Sequence, residues 1–449
     1  MLAVIVVKVS VIMPSLNVAS YIEECIESVL GQDLNDIEII CIDAGSTDGT
    51  KELLKNYEHI DNRIRIIDSP VRSYGYQINL GIRESVGEYI SIVETDDYIA
   101  PNMLSYLYEQ AKQYDADVSK ADYERFYLDD KGEKIFATNH LFSGSEKKYY
   151  GCRIGKEEVP ERVYYDDANI WCSIYRRSFL IDKNIHLNES AGAAFQDIGF
   201  MQQIHMFADS MVFSSIPLYY YRTDRIASSI NNSNWLRNVY QEFEFISNSN
   251  VVKTKEWMGT QNLFVNRILY IYISALQNAI INTNFEIDNV HWRPYYEKFR
   301  PVIKSFIDDY VIIKSKILSD LKIPLLLSIY SLKSYRDYVK VKYDDMKREK
   351  KYLLQQCLNK VCIIFGSGVR GKKVCTFLRD NGVKITAFWD NDKSKWGTEY
   401  QDIPIVQPKS MSADNVAAYV VAIRGGGDAI TKQLKELGVI EENIYYFDW

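Results

Sequence analysis

The sequence lacks the features that mark membrane-spanning, disulfide-bonded and nucleic-acid-binding proteins. It contains no run of about eighteen apolar residues, so we expect no transmembrane helix. Its seven cysteines are scattered without a C-x-x-C pair, which argues against a disulfide framework or a zinc site and favours a reducing cytoplasm. Acidic residues outnumber basic ones by 60 to 53, so the chain offers no sustained positive surface for nucleic acid.

Proline is also scarce, and the remaining composition is that of a folded globular protein. The 449 residues include 10 prolines and 22 glycines, while 47% are apolar and 25% are charged. A chain of this length exceeds what one hydrophobic core usually organises. We predict three regions: an α/β domain over residues 1–234, a helical linker region over 235–357 and a small Rossmann-like α/β domain over 358–449.

From residue 6 to about residue 118, short β-branched runs alternate with amphipathic segments. The opening VIVVKVSVIM has no basic segment before it and no cleavage site after it, so we interpret it as a strand rather than a signal peptide. The runs IEIICID, RIRIID and GEYISIVE predict three further strands. This alternation is typical of βαβ units on a mainly parallel sheet. In the first helix, Ser20 and Glu23 have the spacing of a capping box.

The rest of the chain is mixed, then helical, then α/β again. Residues 121–221 look loop-rich, whereas segments such as NRILYIYISALQNAI have helical periodicity. The segment KIPLLLSIYSLKSYRDYVK suits a packing helix or a membrane surface, and we favour the packing helix. In the last region, GSGVRG lies between a strand and a helix, and Asp390 follows about twenty residues later. This spacing meets the pattern of a dinucleotide fingerprint, but we favour a structural or partner-docking role.

Acidic residues follow the fourth predicted strand. Glu94, Asp96 and Asp97 come directly after the apolar run YISIV. In an open α/β sheet, ligands bind at the carboxyl ends of the strands. Adjacent carboxylates there suit Mg²⁺ or Mn²⁺, which take oxygen ligands together with phosphate oxygens. Taken alone, the acidic cluster is better explained as a turn that caps the next helix.

Polar residues also follow the first and second strands. PSLN ends the first strand and DAGSTDGT ends the second. Gly45 and Gly49 allow a ligand to approach the backbone closely, and Ser46 or Thr47 can cap the following helix. Each motif by itself fits a capped turn. Three strand ends that carry polar or acidic residues in this order indicate one binding site.

Five motifs in this order resemble those of family-two glycosyltransferases with the GT-A fold. They are VSVIMPSLN, IEIICIDAGSTDGT, SYGYQINLGI, GEYISIVETDDYIAPNML and FQDIGF, and they extend over about half of the chain, residues 8–222. The resemblance implies an α/β GT-A domain with a mostly parallel sheet that binds a nucleotide-sugar donor. The nucleotide contacts that it implies are Pro14, Ser15, Asn17 and Asp43.

The resemblance also gives roles to the acidic motif and the diphosphate region. Asp97 corresponds to the ligand of a divalent ion, Mn²⁺ or Mg²⁺, and Asp96 to a contact of the ribose or the sugar. Near the diphosphate, Gln77-Ile78-Asn79 stands where many members carry Ala-Arg-Asn. Asn79 therefore matches a donor-binding position, and the arginine is missing. The candidates to replace its charge are Arg72, Tyr74 and Arg222.

An acceptor hydroxyl must lose a proton as it attacks the anomeric carbon, so the reaction needs a base. Asp197 in FQDIGF corresponds to the Asp of the family's Glu-Asp pair, the base of inverting enzymes, and Gln196 replaces the Glu. Without the upstream motifs, Asp197 is better explained as a helix cap. With those motifs, the base is favoured. We interpret His205 as a packed helix residue rather than a metal ligand.

A second departure from the family pattern supports an alternative hypothesis, and a third hypothesis concerns the C-terminal domain. Ala44 replaces an Asp that often contacts the nucleotide base. Together with the missing arginine, it motivates a non-catalytic protein that binds a nucleotide sugar or scaffolds a glycosylation complex. A third hypothesis makes the C-terminal domain a nicotinamide-dependent sugar-modifying unit.

The leading prediction is an inverting, metal-assisted glycosyltransferase that uses a UDP-sugar in bacterial surface glycan or glycoconjugate synthesis. By analogy, the acceptor is a glycan, a lipid-linked molecule or a protein. The expected location is the cytoplasm, and peripheral contact with the inner face of the membrane and homo-oligomerisation stay open. The prediction requires the loops that carry Asp43, Asp97 and Asp197 to meet around one pocket.

Overall fold

The chain folds into two compact units. The first comprises Met1–Tyr127 and Thr138–Arg336, and the second comprises Leu128–Ala137 and Asp337–Trp449. The computed structural model describes residues 6–128, 132–225, 234–308, 321–408, 417–423 and 427–447. The predicted boundaries after residues 234 and 357 stay predictions.

A ten-stranded sheet lies at the centre of the first unit. Its strands are β1 (Val9–Ser15), β2 (Ile37–Asp43), β3 (Ile64–Asp68), β4 (Tyr89–Ile92), β5 (Tyr98–Ile99), β6 (Val118–Leu128), β7 (Lys134–Asn139), β8 (Arg153–Ile154), β9 (Ser173–Arg176) and β10 (Met211–Arg222). Their order is β3-β2-β1-β4-β9-β6-β10-β5, with β7 paired to β6 and β8 to β10. The first four strands are parallel, β9 is antiparallel to both of its neighbours, and β6 and β10 are parallel. The predicted mainly parallel sheet is confirmed.

The continuous apolar runs of the sequence become the inner strands. Every residue of β1 is buried, and so are all but one of β2. Parallel strands are covered by helices on both faces, so they read as unbroken β-branched runs rather than as alternating ones. The helices of this α/β layer are α1 (Ile22–Leu30), α2 (Thr50–Ile60), α3 (Tyr74–Glu84), α4 (Met103–Gln113), α5 (Glu161–Asp166), α6 (Arg177–Asp182) and α7 (Gln196–Phe207).

The predicted capping box of the first helix is wrong. α1 begins at Ile22, and its N-cap residue Tyr21 makes no side-chain cap bond. The N–H groups of Tyr21 and Ile22 both donate to the carbonyl oxygen of Val18, at 2.9 Å. Because this turn already satisfies donors at the helix start, the side chain of Ser20 is not needed there.

The middle of the chain is helical, as predicted, and its helices up to Arg336 belong to the first unit. Its helices are α8 (Trp235–Asn248), α9 (Lys255–Asn282), α10 (Arg293–Asp308) and α11 (Lys322–Tyr330), and α12 (Leu332–Cys357) follows. Within the described ranges, α9 is the one helix long and apolar enough to cross a membrane. The most apolar stretch of α9 is 67% buried inside the protein. Burial of this extent is also typical of a helix at the centre of a packed helical layer.

The second unit is a smaller α/β domain. Its strands are β11 (Val361–Phe365), β12 (Ile385–Trp389), β13 (Glu399–Tyr400), β14 (Ile403–Val406), β15 (Ala417–Val421) and β16 (Ile444–Tyr446). They follow the order β13-β14-β12-β11-β15-β16, and all pairs except β13 with β14 are parallel. The helices α13 (Val369–Asp380) and α14 (Gly427–Glu436) belong to it. The predicted small Rossmann-like domain is confirmed as an α/β fold.

The glycine-rich turn of this domain is bonded to its own acidic residue. Asp390 Oδ2 accepts the N–H of Ser367 at 2.9 Å and also accepts the Ser367 hydroxyl. Lys395 Nζ lies 3.2 Å from the same oxygen. A Cβ at Gly371 would meet the carbonyl oxygen of Gly366 at 1.8 Å, so close backbone packing alone requires a glycine there. These contacts agree with the structural role that the sequence favours.

Candidate active site

Asp43, the last residue of β2, organises the loop at the end of that strand. Its Oδ2 accepts the N–H groups of Gly45 and Ser46 at 2.9 and 3.0 Å. Its Oδ1 is buried and accepts no hydrogen bond from a described residue. A buried oxygen without a donor is costly, so this atom is suited to accept an N–H or O–H group of a ligand.

Asn17, just after β1, joins that strand end to the same loop. Its backbone is left-handed, with φ of 53°, which asparagine tolerates. Its N–H donates to Ser46 Oγ at 3.0 Å, and its Oδ1 accepts the N–H of Thr47 at 2.9 Å. The predicted capping of α2 by Ser46 or Thr47 is therefore wrong. Near the start of that helix, the N–H of Thr50 instead donates to Asp48 Oδ1 at 3.1 Å.

Gln77 on α3 bonds the ends of both β1 and β2. Its Nε2 donates to the carbonyl oxygens of Ser15 and Ile42, at 3.0 and 2.7 Å. The hydroxyl of Thr95 donates to the carbonyl oxygen of Pro14 at 2.8 Å, which ties β1 to the acidic motif. This role of Gln77 was not predicted from the sequence, although its place in SYGYQINLGI near Asn79 was an available signal.

Glu94 opens the acidic motif and is held by two tyrosines. The hydroxyl of Tyr74 donates to Glu94 Oε1 at 2.6 Å, and the Glu94 N–H donates to the hydroxyl of Tyr219 at 3.1 Å. Burial, followed by the charge of Asp96, raises the pKa of Glu94 to about 7, and the charge of Asp197 adds to the rise. Tyr219, on the distant strand β10, was not identified from the sequence.

Asp97 is turned into the protein and is only 1% exposed. Its Oδ2 accepts the hydroxyl of Tyr219 at 2.8 Å, and its Oδ1 accepts the N–H of Arg222 at 2.7 Å. Burial, followed by the charges of Asp96 and Glu94, raises its pKa well above the ordinary value. The predicted metal-binding role of Asp97 stays a prediction, and its two oxygens already fasten the end of β10 to the motif.

Asp96 faces two arginines. Arg225 Nη1 lies 2.8 Å from Asp96 Oδ2, and Arg222 Nε donates to the carbonyl oxygen of Asp96 at 3.0 Å. Arg222 Nη2 also donates to Glu24 Oε2 at 2.7 Å, so this charge is engaged inside the protein. Arg72, another of the three predicted substitutes, donates to the carbonyl oxygen of Gly45 at 3.1 Å. Arg225 was missed, although it follows the YYYR run by three residues.

Asp197 lies in the first turn of α7, and the loop before it is bound to the start of α3. The N–H of Tyr74 donates to the carbonyl oxygen of Gly192, and the N–H of Gly192 donates to that of Arg72, both at 3.0 Å. Burial and Glu94 raise the pKa of Tyr74, and the charge of Asp197 contributes as well. Asp197 therefore acts electrostatically on both Tyr74 and Glu94. The structure brings the strand-end loops, the acidic motif and Asp197 to one edge of the sheet.

Arg267, on α9, carries a buried positive charge next to Asp197. It is 3% exposed, and its Nη1 donates to the carbonyl oxygens of Tyr164 and Asp167 at 3.0 and 3.2 Å. Burial raises the pKa of Asp197, the charge of Arg267 opposes the rise, and the charge of Asp167 adds to it. The sequence analysis missed Arg267, although a lone arginine within the apolar run NRILYIYISAL was a signal.

His205 is a packed residue, as predicted. It is 1% exposed, and its Nε2 lies 3.1 Å from Asp167 Oδ2. Lys120 Nζ lies 2.7 Å from the other oxygen of Asp167, so one buried carboxylate faces two partners. Burial alone would raise the pKa of Asp167, but Lys120 and His205 together lower it to about 2.

Asn79 lies in the interior of the first unit. Its Nδ2 donates to the carbonyl oxygen of Leu187 at 2.9 Å and to Glu189 Oε1 at 3.0 Å, and its Oδ1 accepts the N–H of Leu187 at 2.9 Å. The side chain therefore fixes the loop after α6 against α3. The predicted donor contact of Asn79 stays a prediction.

Comparisons with known proteins agree with this arrangement. The model of the family "Glycosyl transferase family 2" matches residues 10–162, and a model described as "C2185-like, N-terminal" matches residues 358–445. The chain is 31% identical to glycosyltransferase GlyG of Streptococcus pneumoniae serotype 4 over 243 residues, which are 52% of this chain and 78% of GlyG. It is 26% identical to the cholesterol galactosyltransferase of Borreliella burgdorferi, covering 66% of this chain and 82% of that protein.

Solved structures show the same fold. The S. aureus TarS 1–349 structure in complex with UDP-GlcNAc matches with a TM-score of 0.54 at 18% identity, covering 75% of this chain and 92% of that one. The likeness confirms the predicted GT-A type of α/β architecture. The match to GlyG covers more than two thirds of that protein at more than 30% identity. The chain therefore belongs to glycosyl transferase family 2 and is a glycosyltransferase.

Proposed function

We propose that this enzyme transfers a sugar from a UDP-sugar to an acceptor hydroxyl, with inversion at the anomeric carbon and with help from Mn²⁺ or Mg²⁺. One observation carries the proposal: the ends of β1 and β2, the acidic motif and Asp197 border the same edge of the sheet. Tyr74 connects them, because its hydroxyl bonds Glu94 and its N–H bonds the loop before Asp197. Such an edge is where ligands bind in open α/β sheets.

The ends of β1 and β2 are proposed to hold the nucleotide. Asp43 supports this role, because its buried Oδ1 lacks a donor among the described residues. Pro14, Ser15 and Asn17 line the adjacent strand end, and Gln77 keeps that end fixed. With Ala44 in place of a second carboxylate, Asp43 is the acid that would select the base. The TarS structure, whose ligand is UDP-GlcNAc, supports uridine as the nucleoside.

We propose Asp96 as the contact of the divalent ion, in place of the Asp97 that the family resemblance indicates. Both oxygens of Asp97 accept internal hydrogen bonds, whereas the side chain of Asp96 is 18% exposed and its Oδ2 pairs with Arg225. Within the described residues, no group of three or more His, Cys, Asp or Glu side chains could hold a metal, so phosphate oxygens would have to complete the coordination, as is common for Mg²⁺. A bound ion stabilises the negative charge of the departing diphosphate. Arg225, once it leaves Asp96, is a cation that can replace the missing family arginine.

Asp197 is proposed as the base that takes the proton of the acceptor hydroxyl. Its place at the start of α7, across Tyr74 from the acidic motif, supports attack from the side opposite to the diphosphate. The charge of Arg267 favours its carboxylate form against the effect of burial. Asp96 is proposed to bind the ion that holds the departing diphosphate. Asp97 is proposed to position the loop that carries Asp96.

The biological setting is proposed from the relatives. Membership of the family favours an enzyme over the non-catalytic alternative. We propose work on bacterial surface glycans at the cytoplasmic face of the membrane, as the family resemblance implies, and a glycan, a lipid-linked molecule or a protein is the proposed acceptor. The Borreliella burgdorferi relative is named for cholesterol, which keeps a lipid acceptor in the proposal.

A donor screen tests the proposal. Wild type, Asp96→Asn, Asp97→Asn and the exposed control Asp209→Asn are incubated with UDP-, GDP- and dTDP-sugars, with Mn²⁺, Mg²⁺ or EDTA, and nucleotide release is measured. We expect one UDP-sugar to be hydrolysed only with metal by wild type and the control, and Asp96→Asn to be the most impaired variant. Metal-independent release that Asp96→Asn leaves unchanged would contradict the proposal, as would the absence of any donor turnover.

A further inference from the structure

A cavity lies in the first unit, where the pairing between β6 and β9 ends. The pairing of these strands ends at Lys120 with Ser173. Beyond that point, the loop before β9 and the loop after β7 enclose about 270 Å³ against β6. This volume is just below the usual range of ligand pockets, so it suits a small ligand rather than a chain.

The floor of this cavity is polar and buried. Lys120, Asp122 and Asp167 line it and are 4%, 2% and 0% exposed. Asp167 pairs with Lys120, as described above. Asp122 Oδ2 accepts the hydroxyl of Tyr150 at 2.7 Å and lies 2.6 Å from His140 Nδ1. Burying several polar groups costs free energy, and fixed partners of this kind hold them in a defined geometry.

The rim of the cavity is charged but nearly balanced. Arg162 Nε donates to Asp166 Oδ2 at 2.6 Å. Arg125 is exposed and donates to the hydroxyl of Tyr123 at 3.2 Å, and no described carboxylate forms an ion pair with it. The lining therefore carries three negative charges, from aspartates, and three positive charges, from Lys120, Arg162 and Arg125. His140 is a further group that can carry a positive charge. This balance disfavours a diphosphate or a metal ion. It favours an uncharged ligand rich in hydroxyl groups, which donate and accept hydrogen bonds at once.

An aromatic stack connects the cavity to the active site. The ring of Tyr123 meets Trp171 edge-on at 4.7 Å, and Trp171 stacks on Tyr221 at 5.1 Å with an interplanar angle of 5°. Trp171 also stacks on Tyr219 at 4.3 Å, and the hydroxyl of Tyr219 donates to Asp97 Oδ2 at 2.8 Å, so the stack reaches the acidic motif. On the other side, Asp167 lines the cavity and acts on Asp197. The cavity is thus linked to the acidic motif through these rings, and Asp167 in its floor acts on the charge of Asp197.

We infer that this cavity binds one sugar unit of the acceptor, so that the enzyme recognises its acceptor through a carbohydrate rather than through a lipid or a peptide. The inference rests on the proposed transferase function. The balanced polar lining, the size for a single ring and the aromatic contacts that lead to Asp97 carry it. Arg125 and His140 at the rim are the residues that would bond the hydroxyl groups.

Binding of simple sugars to the full chain tests the inference. Methyl glycosides of glucose, galactose, N-acetylglucosamine and N-acetylgalactosamine are the probes, and saturation-transfer NMR is the readout, with and without saturating UDP and Mn²⁺. We expect at least one glycoside to bind in the presence of UDP. Arg125→Ala and His140→Ala should each weaken its binding about fivefold, the loss expected for one hydrogen bond. The exposed control Arg153→Ala should leave the binding unchanged.

Three results would overturn the inference. The first is that no glycoside binds, the second is that UDP abolishes the binding, and the third is that Arg125→Ala and His140→Ala bind like the control. Donor hydrolysis by the same wild-type sample separates this inference from the proposed function. Hydrolysis without glycoside binding defeats only the cavity, whereas glycoside binding without any donor turnover defeats only the transferase mechanism.

Discussion

Asp197 must be deprotonated to act as a base, and its neighbours pull its pKa in opposite directions. Burial raises this pKa most, Arg267 on α9 lowers it, and Asp167 raises it further. Tyr74, Glu94 and Glu242 also interact with its charge, from α3, from the acidic motif and from α8. The net pKa is above that of an ordinary aspartate, so the activity should fall at a higher pH than an exposed carboxylate would set.

Replacing Arg267 should shift the pH profile of the enzyme. Arg267→Met removes a positive charge that stabilises the Asp197 carboxylate, so the pKa of Asp197 rises further. The acid limb of kcat/KM should then move to higher pH, while activity well above the limb changes less. Arg267→Lys keeps the charge and should leave the limb in place. Equal profiles for the two variants would show that Arg267 acts on folding and not on the base, and circular dichroism checks that both are folded.

Replacing Asp197 itself should remove transfer but not donor binding. General-base catalysis contributes about 10²- to 10⁴-fold, so Asp197→Asn should lower kcat by at least about a hundredfold. The affinity for UDP, measured by calorimetry, should stay within about threefold of wild type. The substitution is isosteric, and Asp197 lies outside the proposed nucleotide contacts at the ends of β1 and β2. A variant that keeps more than a tenth of the wild-type kcat would rule out Asp197 as the base.

At the scale of elements, the packing of α3 against the loop after α6 leaves no room for a side chain at Gly75. A Cβ there would lie 1.9 Å from the carbonyl oxygen of Asn188. Gly75→Ala should destabilise the first unit by roughly 1–3 kcal/mol in urea unfolding, because the backbone has to shift. Gly259→Ala is the matched control, since nothing lies within 4 Å of its added Cβ. It should stabilise α9 by up to about 1 kcal/mol.

The sequence predicted the elements better than their ends. Buried parallel strands read as apolar runs, so β1 to β4 were found, and periodicity found the helical layer. The predicted capping box at Ser20 and the predicted cap at Ser46 were wrong. A backbone turn already accepts the N–H groups at the start of α1, and the Ser46 hydroxyl accepts the N–H of Asn17 instead of capping α2. Tyr98–Ile99, the short strand β5, pairs with β10, about 120 residues away in sequence, and no local pattern marks such a partner.

The residues of the candidate site that belong to local motifs were predicted from the sequence. The residues that come to the site from distant elements were missed. Asp43, Asn17 and Asp197 stand in strand-end or helix-start motifs that single segments reveal. Tyr219 and Arg225 come to the acidic motif from β10 and the turn after it, and Arg267 comes from α9. Their contacts join residues more than 100 positions apart in several cases, so spacing along the chain holds no information about them.

At the scale of the whole molecule, separate hydrophobic cores in the two units predict two unfolding transitions. One core surrounds the large sheet, and another, which includes Ile363, Phe365 and Trp389, lies in the second unit. UDP with Mn²⁺ should raise the melting temperature of one transition only, because ligand at about 100 times its Kd stabilises the binding unit by about 2.7 kcal/mol. Differential scanning calorimetry measures both transitions. A single transition, or an equal shift of two, would contradict the expectation.

The second unit should not bind a nicotinamide cofactor through its glycine-rich turn. The Asp390 carboxylate, which would have to meet a ribose, is bonded to Ser367 and lies beside Lys395. We therefore expect NADH and NADPH to show no saturable binding in fluorescence titrations of the full chain. Binding that Asp390→Ala abolishes would revive the third hypothesis from the sequence.

The amide of Gln77 has a consequence for engineering. One side chain bonds the ends of two strands, so the effect of a substitution in either strand end depends on whether this amide is intact. Libraries that randomise residues 15–17 or 43–47 to change donor preference should keep Gln77 fixed. If it varies too, beneficial changes will be masked by epistasis, and selection will recover fewer active clones.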